Sequence, residues 1–245
     1  MQNYKDNLDK DGFTVVRNVF SRNEVEQLKG KLETLIDSIT NKKIPDKVNI
    51  SKRNNKIFSL HKIDQSTICD FNYIKEVKNL KEIIINILGE NFIQSTIEAF
   101  VKSPEDNTNV PEHQDGFYFS IIGGRGINIW IALTDSDKNK GGIYYYQNSH
   151  RLKLLTHQNI TPGTWEVSDK EKEKYLSLEK VYPDVSAGDI IIHDFYTIHG
   201  SDDNKSIQDR MAMTYSFFSS DAVVDSKMRN MVIKNNLKSL FDLKE

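Results

Sequence analysis

Three side chains in this sequence could hold a redox-active metal, and a fourth could hold an acid beside it. His113 and Asp115 stand two residues apart in Pro111-Glu112-His113-Gln114-Asp115, and His199 follows the apolar run Ile190-Ile191-Ile192. Residues two apart on a strand point to the same side, so this pair offers an imidazole and a carboxylate together. Two imidazoles and one carboxylate form the facial triad that binds non-haem Fe(II) and leaves positions open for a co-substrate and O2. A His-x-Asp pair alone arises often by chance, and a lone His is more often a hydrogen-bonded structural residue. Arg210 sharpens the signal, because it lies eleven residues after His199 and opens the next strand-like run. A hairpin would bring its guanidinium near the metal, where it could fork onto a carboxylate. A 2-oxoacid on iron with its second carboxylate on Arg210 is 2-oxoglutarate.

The elements that must position these residues can be read from periodicity. Asp11 to Val16 reads as a turn and a short strand. Ser21-x-x-Glu24 has the form of a capping box, and Val25, Leu28, Leu32, Leu35, Ile36 and Ile39 recur at helical spacing. This predicts a helix over about 22–40. The polar stretch from Asn41 to Arg53, with Pro45 inside it, predicts a loop. A second helix is expected over about 73–88, with Gly89 just past its end. Short strand-like runs then follow: Phe92–Val101, Gly116–Ile122, Ile127–Leu133, Ile143–Tyr146, Asp189–His193 and Met211–Phe218. That pattern predicts a β sandwich or barrel over about 92–220 with the helices packed outside it. A last helix is expected over about 226–243, and residues 1–245 read as one domain.

Alternation along two of these runs is informative. Ile127, Ile129, Ile131 and Leu133 share one face, and Asn128, Trp130 and Ala132 share the other. Arg210, Ala212, Thr214 and Ser216 form a similar mixed face. Trp and Ala are odd choices for solvent, so the mixed faces are expected to line a cavity. A buried Arg there would need an anion.

Composition sets the outer bounds. The chain has 245 residues, 38% of them hydrophobic, with one cysteine, Cys69, and a formal net charge of −2 from 33 basic and 35 acidic residues. A single cysteine excludes an internal disulfide framework and a multi-cysteine metal site. The charge balance gives no case for nucleic acid. No apolar run approaches the roughly 18 residues of a membrane span, and the acidic start lacks the apolar core of a secretory signal. A protein of the reducing cytoplasm is expected, with no membrane and no nucleic acid among its partners and its oligomeric state unread.

Four segments resemble the phytanoyl-CoA dioxygenase family of Fe(II)/2-oxoglutarate-dependent oxygenases. They are Asp11–Lys29, Pro111–Ser120, Ile127–Arg151 and Gly188–Ser206 followed by Arg210. The resemblance spans nearly the whole chain and implies a mainly β, cupin-like double-stranded β-helix (jelly roll) with flanking helices. By the same resemblance His113, Asp115 and His199 are the metal and catalytic residues, and Arg210 takes the distal carboxylate of 2-oxoglutarate. Ser201, Trp130 and Asn128 line the co-substrate pocket. Iron, 2-oxoglutarate and O2 are the implied cofactor and co-substrates. The implied reaction hydroxylates or otherwise oxidises an unactivated C–H bond of a small molecule and releases succinate and CO2. Retention of Asp115 argues against a halogenase, which lacks this carboxylate. The chain departs from the family pattern at Tyr146-Gln147-Asn148, in place of the usual Pro-Gly, and at Asp194.

Other residues have blander readings. His193 is expected on a strand face in a structural or supporting role. His150 ends a turn and could cap it or border the site. His61 and His157 have no partner pattern. The basic stretch Lys42, Lys43, Lys47, Lys52, Arg53, Lys56 and Lys62 reads first as a solvated loop, although some family members set a lysine from this region on 2-oxoglutarate. Phe117, Tyr118, Phe119, Tyr144, Tyr145 and Trp165 read as core before pocket. Two rival functions compete with the dioxygenase: a catalytically inactive cupin-like metal- or ligand-binding protein, and a zinc or iron lyase or isomerase on a jelly roll. The second of these would not need Arg210.

Overall fold

The capping box at Ser21 does form. Glu24 N–H donates to Ser21 Oγ at 3.3 Å, and Ser21 N–H donates to Glu24 Oε2 at 2.7 Å. These bonds satisfy two backbone donors that a helix start otherwise leaves orphaned. The helix they begin runs Arg22–Thr40 and buries Val25, Leu28, Leu32, Leu35 and Ile39 on one stripe. In the computed structural model, which describes residues 4–43, 45, 47–104 and 109–241, that stripe covers the outer face of a large antiparallel sheet.

In chain order the helices are α1 (Tyr4–Asp11), α2 (Arg22–Thr40), α3 (Lys78–Leu88), α4 (Asp115–Phe119) and α5 (Ser226–Phe241). The strands are β1 (Phe13–Val16), β2 (Asn49–Arg53), β3 (Lys56–His61), β4 (Phe92–Lys102), β5 (Val110–His113), β6 (Ile121–Gly123), β7 (Gly126–Ala132), β8 (Ile143–Tyr146), β9 (His157–Thr161), β10 (Thr164–Val167), β11 (Lys180–Val181), β12 (Ile190–Asp194), β13 (His199–Ser201), β14 (Arg210–Ser219) and β15 (Val223–Val224). A seven-stranded sheet is ordered β1-β12-β7-β14-β4-β3-β2, and a four-stranded sheet is ordered β11-β8-β13-β5. Tyr145 of the small sheet packs against Trp130, Ile191 and Ala212 of the large one. This mainly β architecture with flanking helices is the one the sequence implies.

Register explains why the large sheet has two different faces. Residues directly opposite each other on neighbouring strands share a face. Ile127, Ile129 and Ile131 of β7 and Met211, Met213 and Tyr215 of β14 lie outward with α2 and α3 in one core. Inward, His193 pairs with Asn128 and Asn128 with Ser216, while Ile191, Trp130, Thr214, Glu98 and His61 form the next row. Arg210 and Lys102 are opposite each other at the end of the sheet. The mixed faces of β7 and β14 are therefore buried, as their composition implies.

Three local expectations need correction. Asn49–Arg53, expected as loop, is β2. It is the polar edge of the large sheet, and edge strands carry charge because one side faces water. Gly116–Ile122, expected as one strand, splits into α4 and β6. Gly116 N–H donates to Phe195 O at 2.9 Å, and Phe117 N–H bonds back to Gln114 O, so tertiary contacts override an aromatic, strand-like run. The helix expected from residue 73 begins at Lys78. Asn72–Glu76 instead winds into a 3-10 turn and Val77 is extended. Tyr4–Asp11, to which the sequence reading assigned no element, is helical. At the other end α5 follows the expected helix, and residues 242 and 243 of that expectation lie outside the described residues. Gly89 ends α3 with φ +82°, which fits the expected glycine position.

Leu32 is fully buried between α2 and the sheet. Leu32→Ala should cost about 2–5 kcal/mol in equilibrium denaturation. A loss near zero would show that α2 is not seated as described.

Candidate metal centre

His113 ends β5 and Asp115 opens α4, so strand alternation does not align them, contrary to the sequence reading. The residue between them does that work. The buried Gln114 side chain donates to Lys153 O at 2.8 Å and Tyr196 O at 2.6 Å, and accepts from Leu155 N–H at 2.8 Å. Its backbone N–H donates to His157 Nε2 at 3.1 Å. Gln114 is thereby fixed, and its two neighbours project together. Gly126 must lack a side chain here, since a Cβ would meet the Phe195 ring at 2.0 Å. Phe195 O is the acceptor that holds Gly116 and hence the start of α4.

His199 reaches the same point from β13, directly opposite His113 in register. The two imidazole centroids are 4.2 Å apart, and His113 Nε2 and His199 Nε2 each lie 3.7 Å from Asp115 Oδ1. The ligand atoms of these three residues all fall within 4.8 Å of one another. His113 Nδ1 bonds to Pro111 O at 2.9 Å and His199 Nδ1 to Thr197 O at 2.9 Å. A carbonyl only accepts, so both Nδ1 atoms carry the proton and both Nε2 lone pairs face the centre. Such carbonyl partners fix tautomer and ring orientation at metal sites.

Electrostatics favours the ligating forms. Burial pushes His113 below its ordinary value and His199 well below it, so both imidazoles are neutral. Burial opposes charge on Asp115, but His199, the hydrogen bond from His193 and the nearby His113 outweigh it and hold the carboxyl below the usual carboxylate range. The donor set of two neutral imidazoles and one carboxylate suits ferrous iron.

Around the centre stand the other residues singled out from the sequence. Asn128 Nδ2 donates to Asp115 Oδ2 at 2.7 Å, while Asn128 Oδ1 has no partner among the described residues. His193 Nε2 lies 2.9 Å from the same Oδ2, and Tyr145 OH lies 2.9 Å from His193 Nδ1. Arg210 is 4% exposed. Its guanidinium carbon lies 5.6 Å from the Trp130 ring centroid. Arg210 Nη2 donates to Gly141 O at 3.1 Å, yet Nε has no partner among the described residues. Burial draws this guanidinium down to about 10. Lys102, opposite it, is fully buried and donates to Ser201 O at 3.2 Å and to Asp202 O. Burial, with Arg210 beside it, draws Lys102 down to about 6.

Some candidates are held elsewhere in the fold. His150 Nε2 lies near Asp9 O at 3.2 Å, and its ring packs beside Gly12. His61 pairs with Glu98 at 2.9 Å. Lys56 is exposed at the start of β3. Arg53 is half-buried and stacks on Phe58 at 4.0 Å, so this member of the basic stretch is not simply solvated. The two family departures serve the fold: Asn148 N–H donates to Asp11 O, and Asp194 accepts from Tyr196 N–H. Three supporting residues escaped the sequence reading. His157 buttresses Gln114 and stacks on Phe117 at 4.2 Å, with burial drawing it to about 4. Tyr145 and Lys102 were also missed. Only the inward parity of Tyr145 on β8 could have marked it.

Comparison with known proteins agrees with this geometry. A relative from Dictyostelium discoideum, the phytanoyl-CoA dioxygenase domain-containing protein 1 homolog, is 22% identical over 252 residues, covering 86% of this chain and 89% of its own. Among solved structures, the 2-oxoglutarate-dependent carbocyclase SnoK of nogalamycin biosynthesis superposes with a TM-score of 0.73 at 18% identity, covering 91% of this chain and 86% of its own. The epimerase SnoN, solved with Fe3+, α-ketoglutarate and a nogalamycin ligand, gives 0.74 at 15% identity, covering 94% and 88%. These structural likenesses establish the shared fold. The phytanoyl-CoA dioxygenase (PhyH) family model matches residues 8–212, well over half the chain and across every residue of the centre, and the chain accordingly belongs to that family of Fe(II)/2-oxoglutarate-dependent oxygenases.

Proposed function

We propose that this enzyme oxidises an unactivated C–H bond of a small molecule, in the first instance by hydroxylation, while 2-oxoglutarate and O2 are converted to succinate and CO2. His113, Asp115 and His199 hold ferrous iron in this reading. Arg210 receives the distal carboxylate of 2-oxoglutarate, and Ser201, Trp130 and Asn128 line its pocket. Residues 1–245 form one catalytic domain, supported by the single core that α2, α3 and the large sheet share. The observation that carries the reading is the buried Arg210 guanidinium, whose Nε has no partner among the described residues. A buried charge without an anion is costly, and an unused or non-oxidative site would have no reason to keep it.

Bound iron with 2-oxoglutarate supplies the oxidising power for C–H cleavage. The chain's own groups supply position. Neutral imidazoles and an ionised carboxylate present three ligand atoms on one side, which leaves the opposite side for co-substrate and O2. Arg210 can form a bidentate, charge-assisted contact that sets the reach of a dicarboxylic acid from the metal. Trp130 is buried beside Arg210, its ring centroid 5.6 Å from the guanidinium carbon, and lends the co-substrate pocket an apolar wall in this reading. Tyr118, its ring 5.5 Å from that of His113, bonds to Trp165 O at 3.2 Å. Burial pushes its hydroxyl up to about 12, so it stays protonated beside the centre. The carbocyclase and epimerase of similar fold indicate that the fold leaves the fate of the substrate open. Retained Asp115 favours hydroxylation over halogenation. No helix among the described residues is long and apolar enough to cross a membrane.

Succinate release from 2-oxoglutarate, stimulated by a screened set of small metabolites, is the direct test. His113→Ala or Asp115→Ala should abolish it. Arg210→Ala should raise KM for 2-oxoglutarate about 100-fold or more, the scale of a lost buried charge pair of ~3–5 kcal/mol, while metal affinity stays within about twofold. An unchanged KM would remove Arg210 from the co-substrate site.

Proton competition gives a second test. The neutral imidazole is the ligand, and the folded values of His113 and His199 lie below the ordinary one. Protons should therefore displace metal only below about pH 6.5, the ordinary histidine value. Mn(II) affinity measured by titration calorimetry should be nearly flat from pH 8 to that point. A tenfold loss on passing from pH 8 to pH 7 would contradict the assigned protonation states.

A further inference from the structure

His193 is 1% exposed and makes two hydrogen bonds, one to a metal-ligand residue and one away from it. Asp115 is ionised and only accepts, so the proton of the 2.9 Å contact belongs to His193 Nε2. Its Nδ1 is hydrogen-bonded to the Tyr145 hydroxyl at 2.9 Å. Tyr145 is itself clamped, stacked on Phe13 with centroids 4.5 Å apart and planes 11° from parallel. Phe13 is directly opposite His193 in register, so β1, β8 and β12 fix the chain Tyr145–His193–Asp115 from one side. Asn128 fixes it from the other, with its amide on the same Oδ2 at 2.7 Å.

The two oxygens of Asp115 are therefore unequal. Oδ2 carries both donors. Oδ1 carries neither and sits 3.7 Å from each ligand imidazole nitrogen. We propose that His193, oriented by Tyr145, is a positioning residue that ties up Asp115 Oδ2 and so restricts the carboxylate to ligation through Oδ1 alone. A carboxylate free to rotate could chelate through both oxygens and take one position that a bidentate co-substrate needs. The relay would thus set how many positions stay open as well as how tightly the metal is held. His193 lies within the Gly188–Ser206 segment but is not among the residues that the resemblance assigns to the centre. This inference rests on the metal-centre reading above.

The test is calorimetric titration of the metal-free protein with Mn(II), then of the metal-saturated protein with 2-oxoglutarate. The variants are His193→Phe, His193→Gln, Tyr145→Phe and Asp115→Ala. His193→Phe keeps an aromatic ring but removes the donor, and should weaken Mn(II) binding about tenfold or more, the usual scale for loss of a partner behind a ligand. It should also weaken 2-oxoglutarate binding although Arg210 is intact. His193→Gln restores a donor and should recover part of both losses. Tyr145→Phe keeps the stack on Phe13 and removes only the hydroxyl. It should weaken Mn(II) binding more than twofold but less than His193→Phe, because it frees the imidazole tautomer without touching Asp115. If His193→Phe does not fold, His193→Gln and Tyr145→Phe decide: parental affinities in Tyr145→Phe, or Mn(II) and 2-oxoglutarate losses in His193→Gln that only track a lowered melting temperature, overturn the relay. Parental affinities in His193→Phe, with Mn(II) binding lost in Asp115→Ala, overturn the relay and leave the metal centre standing. Parental Mn(II) binding in Asp115→Ala overturns the metal centre itself.

Discussion

Asp115 and Arg210 bring opposite charges into one low-dielectric interior, and they do not pair with each other. Buried ions need specific partners, because desolvation alone costs several kcal/mol for each. For Asp115 the chain supplies them: Asn128 and His193 donate to Oδ2, and His113 and His199 face Oδ1. For Arg210 the described residues supply one carbonyl, Gly141 O, and leave Nε without a partner. The carboxylate end is thus nearly complete within the protein. In the proposed function an anion completes the guanidinium end. On that reading the asymmetry sets a metal end and a carboxylate-binding end, and with them the way a 2-oxo dicarboxylic acid would lie.

Most of the remaining structure can be understood as support for these two ends. The outer face of the large sheet is sealed by α2 and α3, so its inner face need not contribute to the main apolar core and can be polar. The small sheet carries His113, His199 and Tyr145 on adjacent strands and closes over that face. Gln114 converts an irregular strand-to-helix junction into a fixed mount for two ligands. Lys102 ties the segment at Ser201 and Asp202 to the end of β4, beside Arg210. Gly141 has φ +66°, and a Cβ there would meet Asp202 O at 2.8 Å, so the carbonyl that faces Arg210 depends on a glycine.

The sequence made the site more legible than its mounting. His113, Asp115, His199 and Arg210 could be singled out because their types are rare and their chemistry is specific. The inward face of β7 could be recognised because Trp130 and Ala132 are poor choices for solvent. Helix α2 announced itself through a capping box and a 3.6-residue stripe. Strand β2 was hidden because an edge strand lacks apolar alternation, and α4 because its aromatic residues mimic a strand until Phe195 O captures Gly116 N–H. His157 and Lys102 carry no local signal of their roles, and Tyr145 carries only its inward parity on β8. Each acts through a partner distant in the chain, and such pairings follow from topology rather than from composition or period.

The central claim is that this one cavity takes ferrous iron and a 2-oxoacid together. The most direct measurement is an anaerobic absorption titration of the metal-free protein with Fe(II) and then with 2-oxoglutarate. A visible charge-transfer band should appear only when both are present and should saturate at one of each per chain. Succinate, which lacks the keto oxygen needed for chelation, should not produce it. A spectrum unchanged by 2-oxoglutarate at saturating iron would contradict the account.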